Sequence, residues 1–437
     1  MKSGVEYRQR KSRIFRYKRQ VINSNHKIRR ILFVAEDVTL AHVTRPLVLA
    51  SSLDRSRYEI YFATGKDSRY LVESFGNHFY TIPTLSSTKF LDRLAKGKPV
   101  YTLDELKISV QADLDLLMKL SPDLVVGDFR LSLGVSSELS GTPYAALTNA
   151  HWSPYSTAPF PLPEHPLVNI FGVGISHFFF KMLRPAFFKY HAAAFNALRR
   201  TYGLRPVRDL REVYTYGNWS LYLDLPCLAP TSNLPDNHLY LGPVLWSPNV
   251  SFPDWWDKVA PDKPIIYVTL GSSGNITIMH TILEVLGEMP VTAMVASAGR
   301  FDTGQLSKNI FLEKFLPGVE ASKRASLVIC SGGSATTYQA LACGTPIIGL
   351  PSNADQYLTM EAIVREEAGL LIRSGKVTKG KVKRAIEDIL ENGSYQKAAR
   401  RLGEEMLQYD APARFSAFID TLEPLAKAPI LSFPQRF

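Results

Sequence analysis

Short apolar runs that alternate with helical stretches, twice over, constrain this chain more than any other feature of its sequence. Arg30-Ile-Leu-Phe-Val-Ala reads as a buried strand, followed by a helical pattern over 40–53 and a second strand over 58–64. Leu124-Val-Val-Gly-Asp is a third strand, ending on a carboxylate, and Pro143-Tyr-Ala-Ala-Leu-Thr a fourth. The pattern restarts at Pro264-Ile-Ile-Tyr-Val-Thr-Leu-Gly-Ser-Ser-Gly. A helix near 278–286 follows, then strands over 291–296, 327–330 and 346–350, then more helix to about Gln408. Apolar strands separated by helices belong to parallel sheets covered on both faces. The expected fold class is therefore α/β, with two doubly wound, Rossmann-like domains facing each other across a cleft. Ligands of such sheets bind beyond the carboxyl ends of the strands. The boundaries read as a basic arm over 1–28, an N-terminal domain over 29–242 and a Pro/Trp-rich linker over 243–263. A C-terminal domain follows over 264–408, and a tail over 409–437 packs back on the N-terminal domain.

Composition narrows the class. With 46% hydrophobic and 21% charged residues, the 437-residue chain reads as a soluble globular protein large enough for several cores. Cys227, Cys330 and Cys343 form neither a disulfide framework nor a metal-site spacing, which points to a reducing cytoplasm. The net charge of +11 is concentrated: residues 1–30 hold eleven Lys or Arg against Glu6 alone, leaving +1 for the rest. Such an arm suits an anionic membrane surface, each nearby cation contributing about 1 kcal/mol. The nearly neutral body offers no basic face for specific nucleic-acid binding. No apolar run reaches the roughly 20 residues needed to span a bilayer. The nearest, 166–180, is interrupted by Asn169 and His177 and reads as a pocket-lining or interfacial segment.

The chemistry concentrates downstream. In Val328-Ile-Cys-Ser331-Gly332-Gly333-Ser334-Ala-Thr336 an apolar strand runs into small residues that open a helix. Small side chains admit a ligand to the backbone, and the helix start offers unpaired N–H groups to a diphosphate. The turn Gly271-Ser272-Ser273-Gly274 follows another strand and would close on the same cleft. Asp355-Gln356 sits on a loop after a strand, where a carboxylate and an amide suit vicinal sugar hydroxyls. A plain helix N-cap is the competing reading of that pair.

From Phe315-Leu-Pro317 through Ser331–Thr336, Ala340-Leu-Ala-Cys-Gly-Thr-Pro346 and Asp355-Gln356, the chain resembles the UDP-glycosyltransferases of the GT-B fold, including bacterial macrolide-type members. Weaker agreement covers most of 29–405. The resemblance implies a base-stacking role for Phe315, diphosphate contacts at Gly332, Gly333, Ser334 and Thr336 with Ser272 opposite, and sugar contacts at Asp355 and Gln356. Three positions depart from the family: Ser331 replaces a phosphate-contacting His, Gln339 a ribose-binding Glu, and Gly318 a Gln. Serine and glutamine can still hydrogen-bond these groups, but the departures leave the nucleotide open, and a dTDP-sugar or a UDP-sugar other than UDP-glucose is expected as donor.

Inverting transfer needs a base for the acceptor hydroxyl, and a histidine oriented by a carboxylate suits it. His42, in Leu40-Ala-His-Val-Thr-Arg-Pro46, follows the first strand and resembles the family's Gly-His-x-x-Pro site, with one extra residue. Asp128, at a strand end, matches the family's orienting acid. The aromatic stretch over 151–190, with His151, Trp152, Phe178 and Phe179, would face an apolar or lipid-like acceptor. Asp113-Leu-Asp115 has the letters of a metal motif but reads as a solvated helix face, so neither metal nor cofactor is expected. The expected enzyme is an inverting, metal-independent hexosyltransferase, cytoplasmic or peripheral to the inner membrane face. Its alternatives are a nucleotide-sugar epimerase of the same fold and a non-catalytic partner protein.

Overall fold

The computed structural model describes residues 30–164, 167–259, 261–301 and 306–422. The basic arm lies almost wholly outside the described residues, as does the tail beyond 422. Seven strands build the first sheet: β1 (Arg30–Ala35), β2 (Glu59–Thr64), β3 (His78–Thr81), β4 (Leu124–Asp128), β5 (Tyr144–Thr148), β6 (Trp219–Tyr222) and β7 (His238–Tyr240). Six build the second: β8 (Ile265–Thr269), β9 (Thr292–Ala296), β10 (Ile310–Glu313), β11 (Leu327–Cys330), β12 (Ile347–Gly349) and β13 (Gly369–Leu371). Every pairing is parallel, in the orders β3-β2-β1-β4-β5-β6-β7 and β10-β9-β8-β11-β12-β13. This is the two-domain GT-B architecture.

The central strands are buried on both faces, so their side chains are apolar without alternation. Ile31, Phe33, Val126 and Leu147 pack with one core, and Ile266, Val268, Ile329 and Ile348 with another. Strand order reverses between β1 and β4 and between β8 and β11. There Ala35 pairs with Asp128, and Thr269 with Cys330. Crevices open beyond the carboxyl ends of strands at such switch points, and both carry chemistry-bearing residues here.

The chain crosses between the halves twice, and the crossings touch. A β-carbon on Gly242, whose φ is 103°, would lie 2.5 Å from Tyr409 Cβ. The helix Ala411–Thr421 then returns to the first sheet, with Phe415 5.9 Å from Phe33 and Asp420 bound to Arg57 and to the Tyr58 hydroxyl.

Candidate active site

At the first switch point, His42 enters from the first turn of the helix Leu40–Ser51 and Asp128 from the last residue of β4. His42 Nδ1 lies 2.7 Å from Asp128 Oδ1. The Arg45 guanidinium, one turn on, donates to both Asp128 oxygens at 2.9 and 2.7 Å and lies 2.9 Å from the same Nδ1. An ionised carboxylate only accepts, so the bond between Nδ1 and Asp128 requires the ring proton on Nδ1; Nε2 then keeps its lone pair, and Arg45 bonds Asp128 and not the ring. Burial alone would raise the Asp128 carboxyl. The charge of Arg45 and the contact with His42 outweigh it and hold the pKa below 3.8. Sequence reasoning missed Arg45, although an Arg three residues after the His on a helix shares its face.

From that pair a buried polar chain runs into the other half. Arg45 donates to Asn149 Oδ1 at 3.0 Å, and Asn149 donates to Asp224 at 2.7 Å. Asp224 accepts from the Tyr338 hydroxyl at 2.6 Å, and Tyr338 lies on the helix Ser334–Ala342.

That helix carries the residues expected to hold a diphosphate. It follows β11 through Ser331-Gly332-Gly333, and no side chain caps it, so its first-turn amides are open to a ligand. Gly332 has φ 84°, and a β-carbon there would lie 2.5 Å from Met360 Cγ, so both backbone shape and space demand glycine. A β-carbon on Gly333 would meet nothing, which leaves its flank clear. Ser334 and Thr336 are half-buried on the first turn. The turn holding Gly271, Ser272 and Ser273 closes on the same place: a β-carbon on Gly274 would lie 2.9 Å from Ser331 Cβ. Arg300, which sequence reasoning also missed, braces this turn by donating to the carbonyls of Gly271 and Gly274, both at 2.9 Å.

Several assignments change in the structure. Asn353, not Asp355, caps the helix Ala354–Arg365, accepting from the Gln356 amide. Gln356 is buried; its carbonyl accepts from Ser352 and its amide donates to Ser273, so it ties the loop to the turn. Asp355 accepts at 3.0 Å from the Trp152 indole of the other half, which joins a candidate sugar residue to a candidate acceptor residue. Gln339 donates to the Trp246 carbonyl in the linker, and a β-carbon on Gly318 would lie 2.5 Å from its Oε1. The two family departures therefore fit each other: the Gln339 amide fills the room that a side chain at 318 would need. Phe315, ahead of the buried Pro317, is exposed and open to a stacking base.

Asp113 is not on a solvated face. It is buried against Arg130, Ser132 and Ser136, so only Asp115 of that motif is exposed, and the two cannot share a metal.

Aromatic rings line the way out from His42. Phe129 stacks on the imidazole at 4.7 Å and on Tyr214 at 5.7 Å; Tyr214 meets Trp152, and Trp152 meets Phe160. Phe180 and Phe188, from the Leu167–His191 helix, extend this wall. Phe178 and Phe179 do not join it; they are exposed on the opposite side of that helix. His151 is buried with neither ring nitrogen hydrogen-bonded, and burial lowers its pKa. It therefore does not present itself to an acceptor in the cleft.

Comparisons with known proteins identify the family. Residues 277–422 match the family described as erythromycin biosynthesis protein CIII-like, C-terminal domain. A PGL/p-HBAD biosynthesis glycosyltransferase of Mycobacterium tuberculosis is 46% identical over 376 residues, 86% of this chain and 88% of the relative. A PGL/p-HBAD biosynthesis rhamnosyltransferase of Mycobacterium bovis is 44% identical over 377 residues, 86% of this chain and 84% of the relative. Among solved structures, the spinosyn rhamnosyltransferase SpnG superposes with a TM-score of 0.66 at 17% identity, covering 90% of this chain and 100% of that one. SpnG has also been solved with thymidine diphosphate and with spinosyn aglycone. The chain belongs to the PGL/p-HBAD biosynthesis glycosyltransferases and has the GT-B fold.

Proposed function

We propose that the protein transfers a hexose from a nucleoside diphosphate sugar, with inversion and without a metal, to a hydroxyl of an apolar or lipid-like acceptor. The observation that carries this reading is the His42–Asp128 pair, 2.7 Å apart at one switch point, linked through Arg45, Asn149 and Asp224 to the uncapped helix at the other. In this reading His42 Nε2 takes the acceptor hydroxyl's proton as its oxygen attacks the anomeric carbon. The bond from that carbon to the diphosphate oxygen breaks, and the electron pair leaves with the diphosphate. First-turn amides of Ser334–Ala342, with Arg300 behind the facing turn, supply positive potential to that leaving group. The aromatic wall supports an apolar acceptor. The structural neighbour solved with thymidine diphosphate favours a dTDP-sugar over a UDP-sugar, and the rhamnosyltransferase relative favours a deoxyhexose such as rhamnose.

Transfer from labelled dTDP- and UDP-sugars to phenolic and lipid acceptors tests the reading. His42→Ala should lower the rate by about 10²–10⁴-fold, the usual worth of general-base catalysis. Full activity in that variant would remove His42 as the base. Activity should also survive exhaustive chelation of divalent metal by EDTA, and its loss would overturn the metal-free reading. Epimer formation without an acceptor would instead indicate an epimerase.

A further inference from the structure

We infer that the outward face of the Leu167–His191 helix docks on an anionic phospholipid surface. Phe178, Phe179, Met182, Leu183 and Tyr190 are each between 54% and 64% exposed. Positions 178 and 182, 179 and 183, and 183 and 190 recur at helical spacing, so the five rings and chains form one stripe. The opposite face is apolar as well, with Phe180, Phe187 and Phe188 turned toward Phe160 and the aromatic wall. A helix apolar on both sides is normally covered on both, and a contiguous exposed apolar patch marks an interaction surface.

Charge identifies what covers it. Residues 165–208 contain seven Lys or Arg and no Asp or Glu, although Arg199 is buried against Glu138 and Arg208 pairs with Glu212. Lys181 and Lys189 are exposed on the helix itself, and among the described residues no carboxylate pairs with Lys181, Arg184 or Lys189. Lysine is depleted from protein interface cores. A two-fold contact with a second copy would bring these cations against their own equivalents. At a bilayer surface, aromatic and aliphatic side chains enter the acyl boundary while lysines meet lipid phosphates. This surface stands apart from the reaction proposed above. If that reading also holds, the acceptor would reach His42 along the inner face of the helix that docks.

Co-sedimentation of the full chain with phosphatidylcholine vesicles, with and without about one third phosphatidylglycerol, tests the inference. Wild type should partition onto the anionic vesicles, and the triple variant Phe178→Ser/Phe179→Ser/Met182→Ser should partition at least about tenfold less at unchanged melting temperature. Lys181→Glu/Lys189→Glu, which alters only exposed charge, should weaken partitioning by several-fold and blunt its salt dependence. It keeps the question decidable if the triple variant fails to fold. Wild type that stays in the supernatant would overturn the inference. So would a triple variant that partitions like wild type, which would assign binding to the basic arm. A dimer seen by light scattering and abolished by the triple variant, without vesicle binding, would assign the face to a second copy.

Discussion

Asp128 answers to two partners at once, and that division sets the behaviour of the site. One oxygen receives both the His42 ring and an Arg45 nitrogen; the other receives the Arg45 Nε. The carboxylate is fully buried, so its charge is tolerated only because a cation is equally buried beside it. Its pKa lies below the ordinary 3.8 in the fold. The ionised form therefore stabilises the protein above about pH 4, and that contribution is lost as pH falls through the folded value. Asp128→Asn, which leaves Arg45 without its counter-ion, should cost about 3–5 kcal/mol at pH 7. The gap from wild type should narrow below about pH 4. Urea midpoints of both proteins across that range check this, and a gap that stays constant would mean that Asp128 is not held ionised. The Gly318–Gln339 fit is a second lesson at this scale: neither departure is intelligible alone, because each occupies the space of the other.

At the scale of elements, the carboxyl ends of β1 and β4 are held by charge that the strand pattern does not announce. Arg130, two residues beyond Asp128, is buried between Glu36 and Asp113 at 2.9 Å from each. Burial pushes both carboxyls above their ordinary values, while their charges raise the guanidinium. Between Asp128 and Arg130 sits Phe129, with φ 56°, a left-handed conformation costly for an aromatic residue. Anchors on both sides keep it there, with its ring against His42. Arg130→Met removes the cation that the described residues place against two buried carboxylates and should cost about 3–5 kcal/mol by denaturant unfolding. A loss below about 1 kcal/mol would mean that the cluster is not a brace. The core strands of both sheets were legible as apolar runs. The strands β3, β6, β7, β10 and β13 were not: the equally short β11 and β12 are fully buried apolar runs, whereas these five mix polar or part-buried residues into three or four positions.

At the scale of the molecule, the two halves meet through specific polar bonds instead of a broad apolar seam alone. Tyr338 reaches Asp224, Trp152 reaches Asp355, and Tyr357 and Arg373 both meet Glu164. The first of these ends the chain that starts at His42, so the helix proposed to hold the donor and the proposed base belong to one network. Tyr338→Phe leaves a buried Asp224 oxygen without its hydroxyl donor and should cost about 1–3 kcal/mol. It should also weaken donor binding, measured by titration with thymidine diphosphate. Wild-type stability and affinity together would show that the contact is incidental.

Local pattern determined the strands of both cores, the glycine turns, the diphosphate helix and the strand-end histidine and acid, because each depends on residues adjacent in the chain. Folding decided what no local pattern encodes. Asp113 is buried because Arg130 comes to it from another element, and Gln356 is bound to Ser273 of a turn 83 residues earlier in the chain. Phe178 and Phe179 face outward because Phe180 and Phe188, on the same helix, take the inner side. In each case the deciding partner is distant in sequence or set by which helix face meets the core, and a buried polar group goes wherever such a partner satisfies it.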